Sequence, residues 1–344
     1  MELVCVIRSP LFLEHHCLGE HPENCTRLSA IEPLFDSMPF SAIRNLGLSG
    51  MSQDSFPSVH TPEWMRRLKE SEGNYGQFDA DTYYSPKSAL VASSAAAACM
   101  DMALRIWKQE YRRGFALVRP PGHHATRDRA MGFCLLNNVA LAVSSLRQIE
   151  PTLRLAVVDF DLHHGNGTQA LFYNDPDVLF LSSHRFPFYP GTGDVSEVGE
   201  GRGRGTTLNL PLSSPYGNDV FFELYARVVC VALCEYRPQM IFVSAGFDGH
   251  KDDPMCGFSL DSSAYGVLSE MLIKVADKVC DGKIMFCLEG GYNVEALSDS
   301  IRFVLEAMLL KPGMLNKHPR LAPSESQVVT HLVRELKPYF TSLA

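Results

Sequence analysis

The sequence predicts an α/β fold: a central, mostly parallel β-sheet with helices on both faces, in one domain spanning residues 1–344. Three observations carry the prediction. Apolar runs of strand length are near-continuous rather than alternating, as in strands buried on both faces. Helix-length segments separate many of them. No repeat, low-complexity tract or linker divides the chain.

In order, the strand-length runs are "LVCVI" (3–7), "FALV" (115–118), "LAVVDF" (155–160), "VLFLS" (178–182), "TTLNLPL" (206–212), "MIFVSAG" (240–246) and "IMFCLEG" (284–290). The helical segments are 88–109, 137–149, 220–236, 263–279 and 294–310, each rich in apolar residues at helical spacing. "GEGRGRG" (199–205) invites a phosphate-loop reading, but it leads into a strand rather than a helix N-terminus. It reads as a flexible connector.

Composition narrows the function. The chain is 46% hydrophobic and 20% charged, with a formal net charge of -8, which counts against a general nucleic-acid binder. Its ten cysteines include no CxxC pair, and several sit in apolar runs as small hydrophobes, which fits a reducing compartment. The opening "MELVCVIRSP" is too short an apolar stretch for a signal peptide, and no run reads as a membrane span. A cytoplasmic location is expected.

Four strands release polar residues at their C-terminal ends, the edge where open parallel sheets bind ligands. "FALV" runs into Arg119 and then His123 and His124. "LAVVDF" supplies Asp159, Asp161 and His163. "MIFVSAG" leads to Asp248, and "IMFCLEG" to Gly290, Gly291 and Tyr292. Asp159, Asp161 and His163 are spaced by two, so an extended backbone points them to one side. With Asp248 they offer an Asp-His-Asp set, the donor pattern of a catalytic zinc with one open position. A hydrogen-bonded cluster without metal is the plain alternative. His123 and His124 are free to move protons, with Asp159 and Asn166 as candidate partners for their other ring nitrogens. Tyr292 can donate to an oxyanion. Phe133, beside Gly132, and Tyr189 can wall a narrow apolar slot.

These motifs together resemble the histone deacetylase family, which also contains acetylpolyamine amidohydrolases. The resemblance runs from "HPENCTRL" (21–28) through "RPPGHHA", "MGFCLLNN", "DFDLHHGNGTQ", "YPGTGD" and "SAGFDGHKDDPM" to "LEGGYN", and it is nearer the class II and bacterial members. It implies the arginase-deacetylase fold and hydrolysis of an acyl-lysine amide in a peptide or protein. It makes Asp161, His163 and Asp248 zinc ligands, His124 the general base and acid, His123 an electrostatic partner oriented by Asp159, and Tyr292 the oxyanion donor. It implies Gly132, Phe133 and Tyr189 as channel residues and Asp81 as a rim carboxylate holding substrate backbone. It also implies structural potassium, held by Asp159, Asp161, His163 and Ser182, with a second site at the Phe172 and Val178 carbonyls.

Two departures matter. Asn166 stands where class I members carry an Asp, so the base is oriented by a neutral amide that raises its pKa less. Met255 stands where polyamine-selective members carry an acidic residue, and an apolar side chain suits a neutral acyl-lysine stem. The competing readings are an acetylpolyamine amidohydrolase, a non-catalytic acyl-lysine binding protein and an arginase-like two-metal hydrolase.

Overall fold

The computed structural model describes residues 4–37, 43–48, 50, 53–309 and 326–344. Leu3 and Leu310, the first residue of one expected strand and the last of one expected helix, lie outside them. The central sheet has eight strands: β1 (Val4–Ile7), β2 (Ile43–Leu46), β3 (Arg113–Ala116), β4 (Leu155–Asp159), β5 (Val178–Arg185), β6 (Thr207–Leu212), β7 (Met240–Ala245) and β8 (Ile284–Leu288). Their order is β2-β1-β3-β8-β7-β4-β5-β6, and every pairing is parallel. Sequence reading missed β2, whose "IRNL" is a short, half-exposed edge strand with no apolar run to mark it.

The main helices are α1 (Pro62–Glu70), α2 (Ser88–Trp107), α3 (Asn138–Ile149), α4 (Asn166–Phe172), α5 (Asn218–Leu224), α6 (Cys230–Tyr236), α7 (Ser262–Val279), α8 (Val294–Met308) and α9 (Gln327–Leu336). The single helix expected over 220–236 is interrupted by a π turn at Tyr225–Val229. Caps set several starts. Thr61, Asn137, Asp261 and Asn293 each accept a backbone N–H of the first turn, and Pro62 follows Thr61 where its missing N–H costs nothing.

Neighbouring residues of β3 show the two covered faces. A Cβ on Gly114 would press on Met102 and Ile106 of α2. Arg113, on the opposite face, donates to the Met308 carbonyl of α8 at 3.0 Å and to Asp277 of α7 at 3.0 Å. Phe115 on that face meets Phe286 at 5.8 Å between ring centroids. Helix α2 passes the length and composition test for a membrane-crossing helix, but 72% of that window is buried inside the protein, as in a core helix. Its alanines let it lie close against the sheet.

The 199–205 segment is also firmer than expected. It forms a short 3-10 turn at Gly201–Gly203, and a side chain on Gly203 would collide with the 173–175 backbone. The ten cysteines are free thiols; Cys99 of α2 and Cys287 of β8 approach to 3.7 Å between sulfurs.

Candidate metal centre and active site

Strand β4 ends at Asp159, and the chain then folds on its own carboxylates. Asp159 Oδ1 accepts the Asp161 N–H at 3.0 Å, and Asp161 Oδ1 accepts the His163 N–H at 2.8 Å. Asp248, beyond the end of neighbouring β7, accepts the Leu162 N–H through Oδ1 at 2.9 Å. Its Oδ2 lies 3.0 Å from His163 Nδ1, and Asp161 Oδ1 lies 3.1 Å from the same nitrogen. One donor atom from each of Asp161, His163 and Asp248 lies within 4.8 Å of the others. Glycine leaves room for them: a Cβ on Gly290 would sit 2.5 Å from Asp248 Oδ2 and 2.6 Å from Asp161 Oδ2.

This set fits a divalent cation. Both carboxylates are fully buried, which is costly without a partner. Asp248 Oδ2 has no properly aligned hydrogen-bond donor despite its proximity to His163. Burial and the facing Asp161 charge push Asp248 up to about 7, while His163 is raised to about 10 by the two carboxylates against the effect of burial. A cation in that space would relieve the carboxylate repulsion that a single imidazole bridges here. A second cluster, His123, Cys134 and Glu289, also lies within 4.8 Å. It fits a metal poorly, because Glu289 already accepts three hydrogen bonds and His123 Nδ1 is taken by Asp159.

The two adjacent histidines receive different partners. His123 Nδ1 lies 3.0 Å from Asp159 Oδ2, and burial notwithstanding, Asp159 and Asp161 raise its pKa to about 10. His124 Nδ1 lies 2.7 Å from Asn166 Oδ1. Burial, with His123 and His163 nearby, holds His124 well below the ordinary histidine value. Asn166 opens helix α4, a short element that sequence reading missed.

Two buried side chains, Arg27 and Asp253, hold the Gly290–Asn293 turn, and a third, Glu289, ties the strand ends beside it; the sequence did not reveal these roles. Arg27 donates to the Gly291 carbonyl at 2.6 Å and the Glu289 carbonyl at 2.5 Å, and its guanidinium lies 5.0 Å from the Tyr292 ring centre. Glu289 accepts from the Gly122 and His123 amides at 2.6 and 3.1 Å and from Ser244 Oγ at 3.0 Å, tying three strand ends together. Asp253 accepts from the Tyr292 and Asn293 amides at 2.7 and 3.0 Å. Arg27 in turn pairs with Glu23, which also binds Arg119. Their motifs, "HPENCTRL" and "LEGGYN", were visible, but nothing local says that these charges are buried. Burial and the Asp248 charge raise the Tyr292 phenol well above its usual range, so it stays a donor.

Phe133 and Tyr189 both reach the centre. The Phe133 ring meets Tyr292 edge-on at 5.8 Å, and Tyr189 meets His124 edge-on at 5.1 Å. Phe188, passed over in the sequence, stacks on His163 at 5.5 Å. Gly132 backs the His124 ring so closely that a side chain would collide with it. Asp81 is half-buried beside this wall: it accepts from Thr82 Oγ1 at 3.0 Å, and Thr82 Oγ1 accepts the Phe133 N–H at 3.1 Å. Met255 is half-buried two residues beyond Asp253. Of the expected potassium residues, Ser182 stands opposite Asp159 in the β4–β5 register. Phe172 and Val178 lie near the other end of β5, where the Phe172 carbonyl accepts the Asp175 N–H at 2.9 Å.

An eight-stranded parallel sheet with a buried Asp-His-Asp set, paired histidines and a tyrosine at its C-terminal edge defines a deacetylase-type α/β domain. The histone deacetylase domain model matches residues 21–308, and the chain belongs to the histone deacetylase family. A probable deacetylase of Archaeoglobus fulgidus is 37% identical over 83% of this chain and 80% of its own. Histone deacetylase 10, chloroplastic, of rice (Oryza sativa subsp. japonica) is 44% identical over 58% of this chain, and histone deacetylase 14, chloroplastic, of Arabidopsis thaliana 40% over 65%. The matched regions take in 45% and 53% of these two relatives, so the chain spans about half their length. The crystal structure of the HDA15 HD domain superposes with a TM-score of 0.89 at 32% identity, covering 100% of this chain and 97% of that one.

Proposed function

We propose that this chain is a zinc-dependent amidohydrolase that removes acetyl, or longer acyl, groups from the Nε of lysine in peptides or proteins. The observation that carries the proposal is the convergence of Asp161, His163 and Asp248 beside His124, whose Nδ1 is occupied by Asn166. The Asn166 oxygen can only accept, so the proton of neutral His124 resides on Nδ1 and Nε2 is the basic nitrogen.

Asp161, His163 and Asp248 would hold the zinc, which when bound supplies Lewis acidity and brings the pKa of a coordinated water to about 7. His124 Nε2 takes the proton from the attacking water and later gives it to the leaving lysine amine. His123, oriented by Asp159 through Nδ1, acts as an electrostatic partner beside the developing negative charge. Tyr292 donates from its phenol to the former carbonyl oxygen. Phe133 and Tyr189 enclose the apolar lysine stem, and Asp81 faces the substrate backbone at the rim. Potassium at Asp159, Asp161, His163 and Ser182 would brace the strand end that carries two of the ligands; a second ion at the Phe172 and Val178 carbonyls would brace the far end of β5.

The test sets an acetyl-lysine peptide against an N-acetylpolyamine with the zinc-loaded protein, and repeats both with Tyr292→Phe. Faster peptide turnover that falls by about 10²–10³-fold in the variant supports the proposal. Faster polyamine turnover moves the substrate class, and absence of turnover on acetyl and longer acyl peptides overturns it.

A further inference from the structure

Asp253 is 2% exposed, and its carboxylate accepts three hydrogen bonds, all from backbone amides of two separate loops. Oδ2 accepts from Tyr292 at 2.7 Å and Asn293 at 3.0 Å; Oδ1 accepts from Met255 at 3.0 Å. One loop carries Tyr292, and the other carries Met255, which the family resemblance sets where polyamine-selective members have an acidic residue. The link is reinforced by Asn293 Nδ2, which donates to the Asp252 carbonyl at 2.9 Å. A buried carboxylate that touches no ligating atom, and whose acceptors are divided between these loops, is better suited to holding them in register than to chemistry.

We propose that Asp253 is a positioning residue that sets the Tyr292 phenol and the Met255 side chain together, so that rate and substrate selectivity depend on one carboxylate. The inference rests on the deacylase reading for its kinetic consequences, and on geometry alone for the coupling. Without the carboxylate the Met255 amide on one loop and the Tyr292 and Asn293 amides on the other lose their acceptor, and such groups move to find partners. Asparagine offers one acceptor in place of two, so it can satisfy only one of the two loops.

The experiment compares wild type, Asp253→Asn and Asp253→Ala on an acetyl-lysine peptide and an N-acetylpolyamine, with the folded fraction of each protein measured. In Asp253→Ala, kcat on the peptide falls about tenfold or more with KM changed less than threefold, and the peptide-to-polyamine ratio moves toward one. Asp253→Asn shows one of these two changes. Equal loss on both substrates that tracks the folded fraction, or no change in either quantity, overturns the proposal. The amide NMR signals of Met255, Tyr292 and Asn293 supply a readout that needs no activity. They shift in both loops in Asp253→Ala and in only one loop in Asp253→Asn. If wild type turns over nothing, the deacylase reading fails, and these signals alone decide the coupling; movement confined to one loop in Asp253→Ala overturns it.

Discussion

Asn166 presents its side-chain oxygen to Nδ1 of His124 at 2.7 Å, while its amide nitrogen turns to the Met131 sulfur at 3.4 Å. The histidine is therefore oriented by a neutral acceptor. Replacing Asn166 with Asp puts a negative charge at the same place and favours the imidazolium. The free-base form of His124 then appears only at higher pH, so the acid limb of kcat/KM moves upward by about one unit. Asn166→Ala loses the orientation and lowers kcat/KM by roughly 10–100-fold. A pH–rate profile of both variants checks the two outcomes.

Removing a ligand separates metal binding from folding. Wild-type protein is expected to take up zinc at about one ion per chain, and Asp248→Ala and His163→Ala to retain almost none. Because the set joins β4 to β7, chelation of wild type lowers Tm and added zinc restores it. Metal analysis with thermal unfolding measures both. About two transition-metal ions per chain would favour a two-metal site instead.

Arg27 is fully buried and clamps the carbonyls at both sides of Gly290. Arg27→Met leaves those carbonyls without donors and removes one of the two arginines on Glu23. The expected cost is about 3–5 kcal/mol in urea unfolding, the range for breaking one member of a buried ion pair. The loosened turn also lowers kcat more than it raises KM.

His60 makes stability depend on pH. Its Nδ1 bonds to the Thr126 carbonyl at 2.9 Å and its Nε2 accepts the Asn137 N–H at 2.9 Å, and burial depresses its pKa to about 4. The unfolded chain binds a proton near 6.5, so between those values the unfolded state holds more protons. The contribution is complete above pH 6.5 and is lost as pH falls toward 4, at most roughly 3 kcal/mol from a shift of about 2.5 units. Urea midpoints from pH 7.5 to 4.5 fall less steeply in His60→Gln than in wild type.

The sequence showed most of what is regular here and some of what is chemical. The buried strands announced themselves as apolar runs, and Asp161 and His163 do lie beside one point, although bends after β4 bring them there rather than the extended backbone expected. Asp248 could be added because it too follows a strand. The residues that escaped are those whose role depends on distant partners. Arg27 looks like a surface arginine until β8 closes over it, and Asp253 and Glu289 act through backbone amides 39 and 167 residues away. Helix α4 escaped because its Asn-Gly opening has weak helix propensity.

The parallel sheet also gives the protein two unlike ends. The turns that enter β3, β7 and β8 lie at the edge opposite the centre, and they contain Gln109, Arg237 and Asp281, each with positive φ. None of those turns supplies a candidate ligand, base or wall residue. Foreign sequence, an affinity handle or a fluorescent label belongs there, whereas the same insertion at the other edge would separate groups that must meet. These three turns are thus open to engineering, and the loops at the other edge are not.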